Sequence, residues 1–340
     1  MRKRLLSILI ALLFLLTACT GTTVSENTVN YKTDSSLELH FIDVGQGDCI
    51  LVLSENTSML IDAGTKESGH KITEYIKSLG IESLDYFIGT HPHDDHLGGA
   101  AKVIREFSPK EVLMSDELSD AYFYEELLET LYKENISVTV PEIGCRYREE
   151  DFDFKFISPY ESFGDTNDNS LVMMIYFKNT NMLFMGDAEK SVEEKLLEEE
   201  ELKADVLKVG HHGSRYASNY DFLRAVEPTV AVIQSEKGNM YGHPHEEAIE
   251  RLGEVGANIL RCDELGTIVL KCDGEKIYYN EEELIKKEVI TQISYIGNKK
   301  SHVFHRDTCG NLPKESNSVK LNSREEAIIL GYSACKGCNP

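Results

Sequence analysis

Three histidines and two aspartates fall within the six positions from His91 to His96, in a chain with only 11 histidines among 340 residues. Imidazole nitrogens and carboxylate oxygens at this density are donors for zinc or a related divalent ion, and a solvated loop would not gather them by chance. In an extended stretch alternate side chains share a direction, so His91 and His93 converge on one cation while Asp95 and His96 turn toward a neighbouring one. Asp94 then points away as support. A second donor set lies near the C-terminus: His305-x3-Cys309, 25 residues, then Cys335-x2-Cys338. Two pairs of soft or borderline ligands at that spacing make the pattern of a closed structural zinc site. The competing reading, a disulfide, leaves one of these three cysteines unpaired.

Both donor sets need elements to hold them. The histidine cluster follows an apolar strand, Leu84 to Gly89, and precedes Gly98-Gly99. Further β-type runs are Leu39 to Val44, Ile50 to Leu53, Met59 to Ile61, Leu171 to Phe177, Met182 to Met185, Val206 to Val209, Thr229 to Ile233 and Ile268 to Leu270. Helical periodicity covers Gly69 to Leu79, Gly98 to Phe107, Asp116 to Glu134, Glu189 to Glu199, Ser218 to Val226 and Glu246 to Val255. The layout is mixed α/β; periodicity alone allows two sheets covered by helices or one doubly wound sheet. Glu281 to Gly297 reads as a charged helical connector, and residues 294–340 as a lobe with too little core to stand without a staple.

Composition limits the partners. With 35 Lys and Arg against 58 Asp and Glu the chain carries −23, so long-range attraction to a polyanion is excluded and phosphate must be met by a local positive centre. Arg2-Lys3-Arg4, the apolar run Leu5 to Leu16 and Leu16-Thr17-Ala18-Cys19 read as an export signal over residues 1–18. The last four residues resemble a bacterial lipobox, which implies lipidation of Cys19, a flexible tether over 19–36 and a protein held on the outer face of the cytoplasmic membrane. No later apolar stretch approaches spanning length. Cys49, Cys145, Cys262 and Cys272 read as buried thiols, with a Cys262–Cys272 bridge open across two strands.

His91-x-His93-x-Asp95-His96 resembles the metal-binding motif of the metallo-β-lactamase fold. Asp62 in Asp62-Ala63-Gly64, Asp187 in Met185-Gly186-Asp187 and His211 after Val206 to Gly210 agree in order with that family's supporting aspartate, bridging carboxylate and last metal-binding histidine. Within it, Asp43-Val44-Gly45-Gln46-Gly47-Asp48, Asn167-Asp168-Asn169-Ser170-Leu171, Lys208 to Ser214 and Tyr241-Gly242-His243-Pro244-His245 are similar to the hydrolase domain of the ComEC-type DNA-uptake competence proteins. The resemblance implies a four-layer αββα domain over residues 37–280, followed by a connector at 281–293 and a zinc-stapled lobe. Between His96 and His211 there is no histidine, so the third histidine of lactamase-type members is missing. The implied first site is His91, His93 and Asp187 with a weak oxygen from Asn169 or Ser170. The second is Asp95, His96, Asp187 and His211, with His211 preferred to His212.

Such a pair of ions, zinc or manganese, stays positive inside an acidic protein and suits attack on phosphorus. The expected activity is a phosphodiesterase or nuclease, with nucleic acid as the substrate class. Asp95, His212 and His243 are the candidate groups around the reacting atoms, and Ser214 the candidate phosphate donor. An esterase of phosphorylcholine or cell-wall polymer, and a surface binding module without turnover, are the alternatives. Gln46 and Asp48 stand between turn chemistry and function; His245 reads as a cap. The C-terminal segment from Phe304 to Pro340 resembles the metal-binding lobe of Ada DNA-repair proteins, but His305 stands where that family has its methyl-accepting cysteine, so methyl transfer is not implied. What remains is a metal knob with Lys299, Lys300, Arg306, Lys314, Lys320, Arg324 and Lys336, suited to stabilising the fold or to touching a nucleic-acid backbone.

Overall fold

The computed structural model describes residues 36–287, 295–307, 309–321, 324–338 and 340; the signal, Cys19 and the tether lie outside the described residues. Short runs of two to six residues, mostly apolar, form the strands of the sandwich. The first group is β1 (Leu37–Phe41), β2 (Ile50–Leu53), β3 (Ser58–Ile61), β4 (Tyr86–Gly89), β5 (Glu111–Met114) and β6 (Val138–Thr139). The second is β7 (Arg146–Arg148), β8 (Asp153–Ser158), β9 (Val172–Phe177), β10 (Thr180–Phe184), β11 (Val206–Lys208), β12 (Val230–Ile233) and β13 (Asn258–Arg261). The chain then returns as β14 (Ile268–Cys272), β15 (Ile277–Tyr279) and β16 (Glu282–Glu283) to pair with β1, which gives one sheet ordered 16-15-14-1-2-3-4-5-6 and another ordered 13-12-11-10-9-8-7.

Side-chain alternation sorts these strands into layers. Ile50 and Val52 face the second sheet, together with Phe41, Phe154, Phe156 and Ile175, while Leu51 between them joins Ile72, Ile76, Val103, Ile104 and Leu127 on the outer face. On the other side Leu183, Leu207 and Ala231 pack under Val192, Leu196, Phe222 and Leu252. Both sheets are therefore covered on both faces, which is why their strands read as continuous apolar runs. The architecture is a four-layer αββα sandwich. Strands β3 to β6 and β10 to β13 run parallel within their sheets, so their C-terminal ends, where the loops gather, face the same rim of each sheet.

The lobe is a four-stranded sheet of β17 (Tyr295–Asn298), β18 (Val303–Arg306), β19 (Ser318–Leu321) and β20 (Ser333–Ala334), ordered 19-17-18-20. Among the described residues its apolar core is Tyr295, Phe304, Leu321 and Ala327, with Val319, Tyr332 and Ala334 packed against them. Two guanidinium groups fasten it to the sandwich: Arg306 to Glu254 at 2.6 Å, and Arg324 to both oxygens of Asp221 at 2.7 and 2.9 Å. No helix among the described residues is long and apolar enough to cross a membrane.

Two expectations fail here. Residues 281–287 are not helical: Glu282 and Glu283 pair with Tyr279 and Tyr278 as an edge strand, because the pairing continues the β14–β15 hairpin. Residues 288–294 lie outside the described residues. Cys262 and Cys272 are not bridged; the Cys262 thiol lies 3.7 Å from the Phe41 carbonyl and Cys272 contacts the Thr180 hydroxyl at 2.9 Å.

One buried acid braces the loops near the site. Glu193, on the helix Lys190–Glu199, accepts from the backbone N–H groups of Ser218 and Asn219 and from Asn219 Nδ2, and is 0% exposed. Burial pushes its carboxyl up to about 7, against the pull of those N–H groups. Because the folded-state value lies above the ordinary one, its stabilising contribution is complete below pH ~4.5 and is lost as pH rises through about 7. Urea unfolding should show stability falling across that window by about 3 kcal/mol more in the parent than in Glu193→Gln. Parallel pH curves for the two would count against it.

Candidate functional site

The strand β4 ends at Gly89, and the loop after it is fixed from beneath by Asp62. That residue, at φ +57°, accepts from Thr90 N at 2.9 Å, from Thr90 Oγ1 at 2.7 Å and from His96 Nδ1 at 2.7 Å. Holding Nδ1–H on a carboxylate turns His96 Nε2 inward and raises its basicity, the usual support of a metal-binding imidazole. His91 contacts Thr90 Oγ1 and Ser170 Oγ through Nδ1, each at 3.2 Å, so its Nε2 faces His93 Nδ1 at 3.0 Å and Asp187 Oδ2 at 3.8 Å. From the opposite sheet, the turn after β10 presents Asp187, whose backbone N–H donates to Ser170 Oγ at 3.1 Å. Gly47 lets the first loop close in: a Cβ there would stand 2.1 Å from the Asp95 carbonyl.

The Gly210–Gly213 turn after β11 completes the group and places both of its histidines near Asp187. His212, at φ +52°, donates Nδ1–H to the Gln234 carbonyl at 3.0 Å and sets Nε2 at 3.2 Å from Asp95 Oδ2 and 3.5 Å from Asp187 Oδ2. His211 Nε2 is 3.8 Å from Asp187, and its Nδ1 donates to Glu189 at 2.7 Å. The cause is the left-handed backbone of both residues, which sends successive side chains to different sides of the turn. His212, 1% exposed, is the inward imidazole; His211 stays a quarter exposed at the opening.

Four overlapping ligand-sized groups result among the described residues: His91–His96–Asp187, Asp95–His96–His212, Asp48–Asp187–His212 and Asp48–Asp62–His96. His96 Nε2, Asp187 Oδ1 and His212 Nε2 are buried without a properly oriented hydrogen-bond partner. Buried polar atoms are seldom left so, and three of them facing one another fit a shared cation. Charge tells the same story. Burial opposes the Asp187 carboxylate, yet His212 and His96 hold it well below the usual range. His212 is likewise opposed by burial but raised to about 10 by Asp187 and Asp48. His91, by contrast, is pushed down by burial and by His96.

The remaining sequence candidates fall into place around this group. Ser214 is 2% exposed and donates to Glu189 at 2.7 Å, so it braces Glu189 rather than meeting a phosphate. Asn169 accepts from Phe163 N and donates to Glu117, each at 2.8 Å, so it is a loop strut turned away from the donors. Ser170, placed between His91 and the Asp187 backbone, orients both. His243 lies with its ring 5.3 Å from that of His211, and burial with the neighbouring imidazoles pushes it down to about 4, so it stands neutral at the opening. His245 precedes the helix Glu246–Glu254, and its Nδ1 accepts from Arg215 N at 3.1 Å.

Sequence reasoning missed Glu189, Gln234 and the partner of Asp48. Lys208, 0% exposed, meets Asp48 at 2.6 Å, and Asp48 in turn lies 3.3 Å from His212 Nδ1. A lysine inside the apolar strand β11 was the available signal, since such a charge needs a partner. Lys208→Met would take the ammonium partner from the buried Asp48 carboxylate and should cost about 3–5 kcal/mol in urea unfolding; a loss under about 1 kcal/mol would contradict the pair's role.

In the lobe, His305, Cys309, Cys335 and Cys338 gather their donor atoms, with His305 Nδ1 3.4 Å from Cys309 Sγ. The three cysteines are unbridged, and the backbone N–H groups of Asn311 and Gly337 donate to Cys309 and Cys335 sulfurs at 3.4 Å. Amides aimed at sulfur favour thiolates, the form that binds zinc.

The αββα sandwich with its histidine-rich loop defines a class of metal-dependent hydrolases. The chain belongs to the metallo-beta-lactamase superfamily, whose family model matches residues 42–235. Among curated proteins it is similar to ComE operon protein 3 of Bacillus subtilis, 29% identical over 251 residues covering 68% of this chain and 32% of that one. It is also similar to competence protein ComA of Neisseria gonorrhoeae, 30% identical over 230 residues covering 66% of this chain and 31% of that one. The chain thus spans about a third of the length of these relatives. Among solved structures, the metallo-beta-lactamase fold protein YhfI of Bacillus subtilis aligns with 70% of this chain and 99% of its own, at 13% identity and a TM-score of 0.49.

Proposed function

We propose that the protein is a binuclear, metal-dependent phosphodiesterase working outside the cytoplasmic membrane, held there through Cys19 and acting on phosphodiesters such as nucleic acid. The observation that carries this is the convergence of buried, unpartnered nitrogen and oxygen atoms from both sheets on one point. His91, His93 and Asp187 would hold one ion, and Asp95, His96, Asp187 and His212 the other, zinc or manganese in each. When bound, the pair supplies positive charge toward a phosphoryl oxygen and makes a water acidic enough to attack near neutral pH. Asp62, Ser170 and the Gln234 carbonyl keep the imidazoles in orientation without rearrangement as charge develops. His211 keeps Nδ1–H on Glu189 and presents Nε2 to the opening, where it donates a proton to the leaving oxygen. His243, neutral beside it, passes a proton from water back to His211 after each turnover.

His211→Gln should lower kcat on bis-p-nitrophenyl phosphate by about 10²–10³-fold while leaving bound metal unchanged, since proton donation contributes that much and His211 is not a ligand. Metal loss in this variant, measured by elemental analysis, would return His211 to the ligand set. A second reading has its own observation. A cleft of about 460 Å³ lined by Asp116, Glu117, Glu161 and Tyr160 opens beside Ser115, Asn169 and Leu171. An acidic, part-aromatic cleft suits a cationic headgroup, as in a phosphorylcholine ester, better than a second phosphate. Release of choline phosphate without cleavage of oligonucleotides would favour it.

A further inference from the structure

The helix Arg324–Ile329 ends in three successive exposed aliphatic residues: Ile328 is 51% exposed, Ile329 82% and Leu330 54%. Single exposed apolar residues are ordinary, but a contiguous trio on a lobe with four buried core residues marks a contact surface. The chain turns back at once, Tyr332 N donating to the Ala327 carbonyl at 2.9 Å, and the Tyr332 ring lies 5.1 Å from that of His302. Ser333 N also donates to the His302 carbonyl at 2.8 Å. These contacts tie the segment just after the trio to His302, in the turn that also carries Lys299 and Lys300, both exposed.

Charge is divided unevenly between the two parts of the chain. Residues 36–287 hold 24 basic and 51 acidic residues, whereas residues 295–340 hold 7 basic and 4 acidic. Arg306 and Arg324 are engaged with Glu254 and Asp221, and the lobe's other basic residues, five lysines, are all exposed. A basic, apolar-tipped knob on a strongly acidic body has one orientation in which it approaches an anionic surface without repulsion, lobe first. A nucleic-acid backbone would reward the lysines but not the aliphatic tip. A lipid interface rewards both, through apolar burial and attraction to anionic headgroups.

We infer that Ile328, Ile329 and Leu330, together with Lys299 and Lys300 of the same lobe, form a contact surface for an anionic lipid bilayer. The contact does not depend on the reaction catalysed. It sets the orientation of a protein that a lipid on Cys19 would only tether, since the segment from Cys19 to Leu37 can extend by roughly 60 Å.

The test uses protein beginning at Thr20, which carries no acyl chain and keeps every described residue. Sedimentation with phosphatidylglycerol vesicles at low salt should show binding that phosphatidylcholine vesicles do not match. Ile328→Ser/Ile329→Ser/Leu330→Ser should weaken it about tenfold or more, and Lys299→Glu/Lys300→Glu by a similar factor. Zinc content and phosphodiesterase activity should stay at the parent level. Ile329→Ser alone, at the most exposed of the three positions, keeps the test valid if the triple variant loses zinc. Equal binding by parent and variants, no vesicle binding by the parent, or loss of DNA binding or self-association in place of lipid binding would each overturn the inference.

Discussion

Asp187→Ala is expected to abolish hydrolysis, with kcat/KM on a phosphodiester falling at least about 10³-fold, and to lower bound metal from two ions per hydrolase domain to one or fewer. The size of the effect follows from position. Asp187 lies 3.3 Å from His96, 3.5 Å from His212 and 3.8 Å from both His91 and His211, so its carboxylate faces all four imidazoles. Removing it costs each ion a ligand and removes the negative charge that balances His212 and His96. Asp187→Asn keeps the shape and the backbone contact to Ser170 but not the charge, so it should lose metal nearly as fully while retaining the parent's unfolding midpoint to within a few degrees. Elemental analysis beside a phosphodiesterase assay separates the outcomes. Full activity in either variant would end the catalytic reading; full metal content with no activity would leave the ligand set wrong and the carboxylate's role chemical.

The second large effect is expected in the lobe. We propose that His305, Cys309, Cys335 and Cys338 hold a zinc ion; on that proposal Cys338→Ser or His305→Ala should release it and unfold residues 295–340 while the αββα domain stays intact. With an apolar cluster of just Tyr295, Phe304, Leu321 and Ala327 fully buried among its described residues, the lobe lacks the apolar area to offset the entropy of ordering its chain. A structural zinc contributes apparent binding free energy of ~10–16 kcal/mol, which is folding free energy here because the unfolded segment offers no preformed site. Limited proteolysis should cut the variants within this segment at least about a hundredfold faster than the parent and leave a stable hydrolase fragment. The Arg306–Glu254 and Arg324–Asp221 pairs should fail with it, since their guanidinium groups are carried by the lobe. Equal protease resistance with and without zinc would mean that these contacts, and not the metal, hold the lobe.

Much of the frame was legible in the residues. The apolar runs of β2, β4 and β12 are where alternation and turn residues put them, because strands covered on both faces must be apolar throughout. Within the sandwich, strands β5 to β8, β13 and β15 were missed. Glu111 is exposed, Arg146 and Arg148 lie at an edge, and Asp153 is a charged residue in a buried strand that meets Arg146 at 3.5 Å. Local pattern carries no record of partners so distant in the chain. The helical reading of 281–287 failed for a related reason: pairing with the preceding hairpin overrode the helix preference of three consecutive glutamates.

By itself the sequence determined the donor chemistry: the His91 to His96 cluster, Asp62, Asp187, the two adjacent histidines and the His-Cys-Cys-Cys set, because residue type and spacing decide which atoms a short segment can offer. Tertiary structure alone decided which atoms meet. It turned His212 inward and His211 toward Glu189, drew Ser214 away from the opening, paired Lys208 with Asp48, and fastened a basic lobe to Glu254 and Asp221. The reason is one of distance. Side-chain direction at a left-handed turn, and the neighbour a buried charge finds, are set by elements that come together only once both sheets have closed over their shared core.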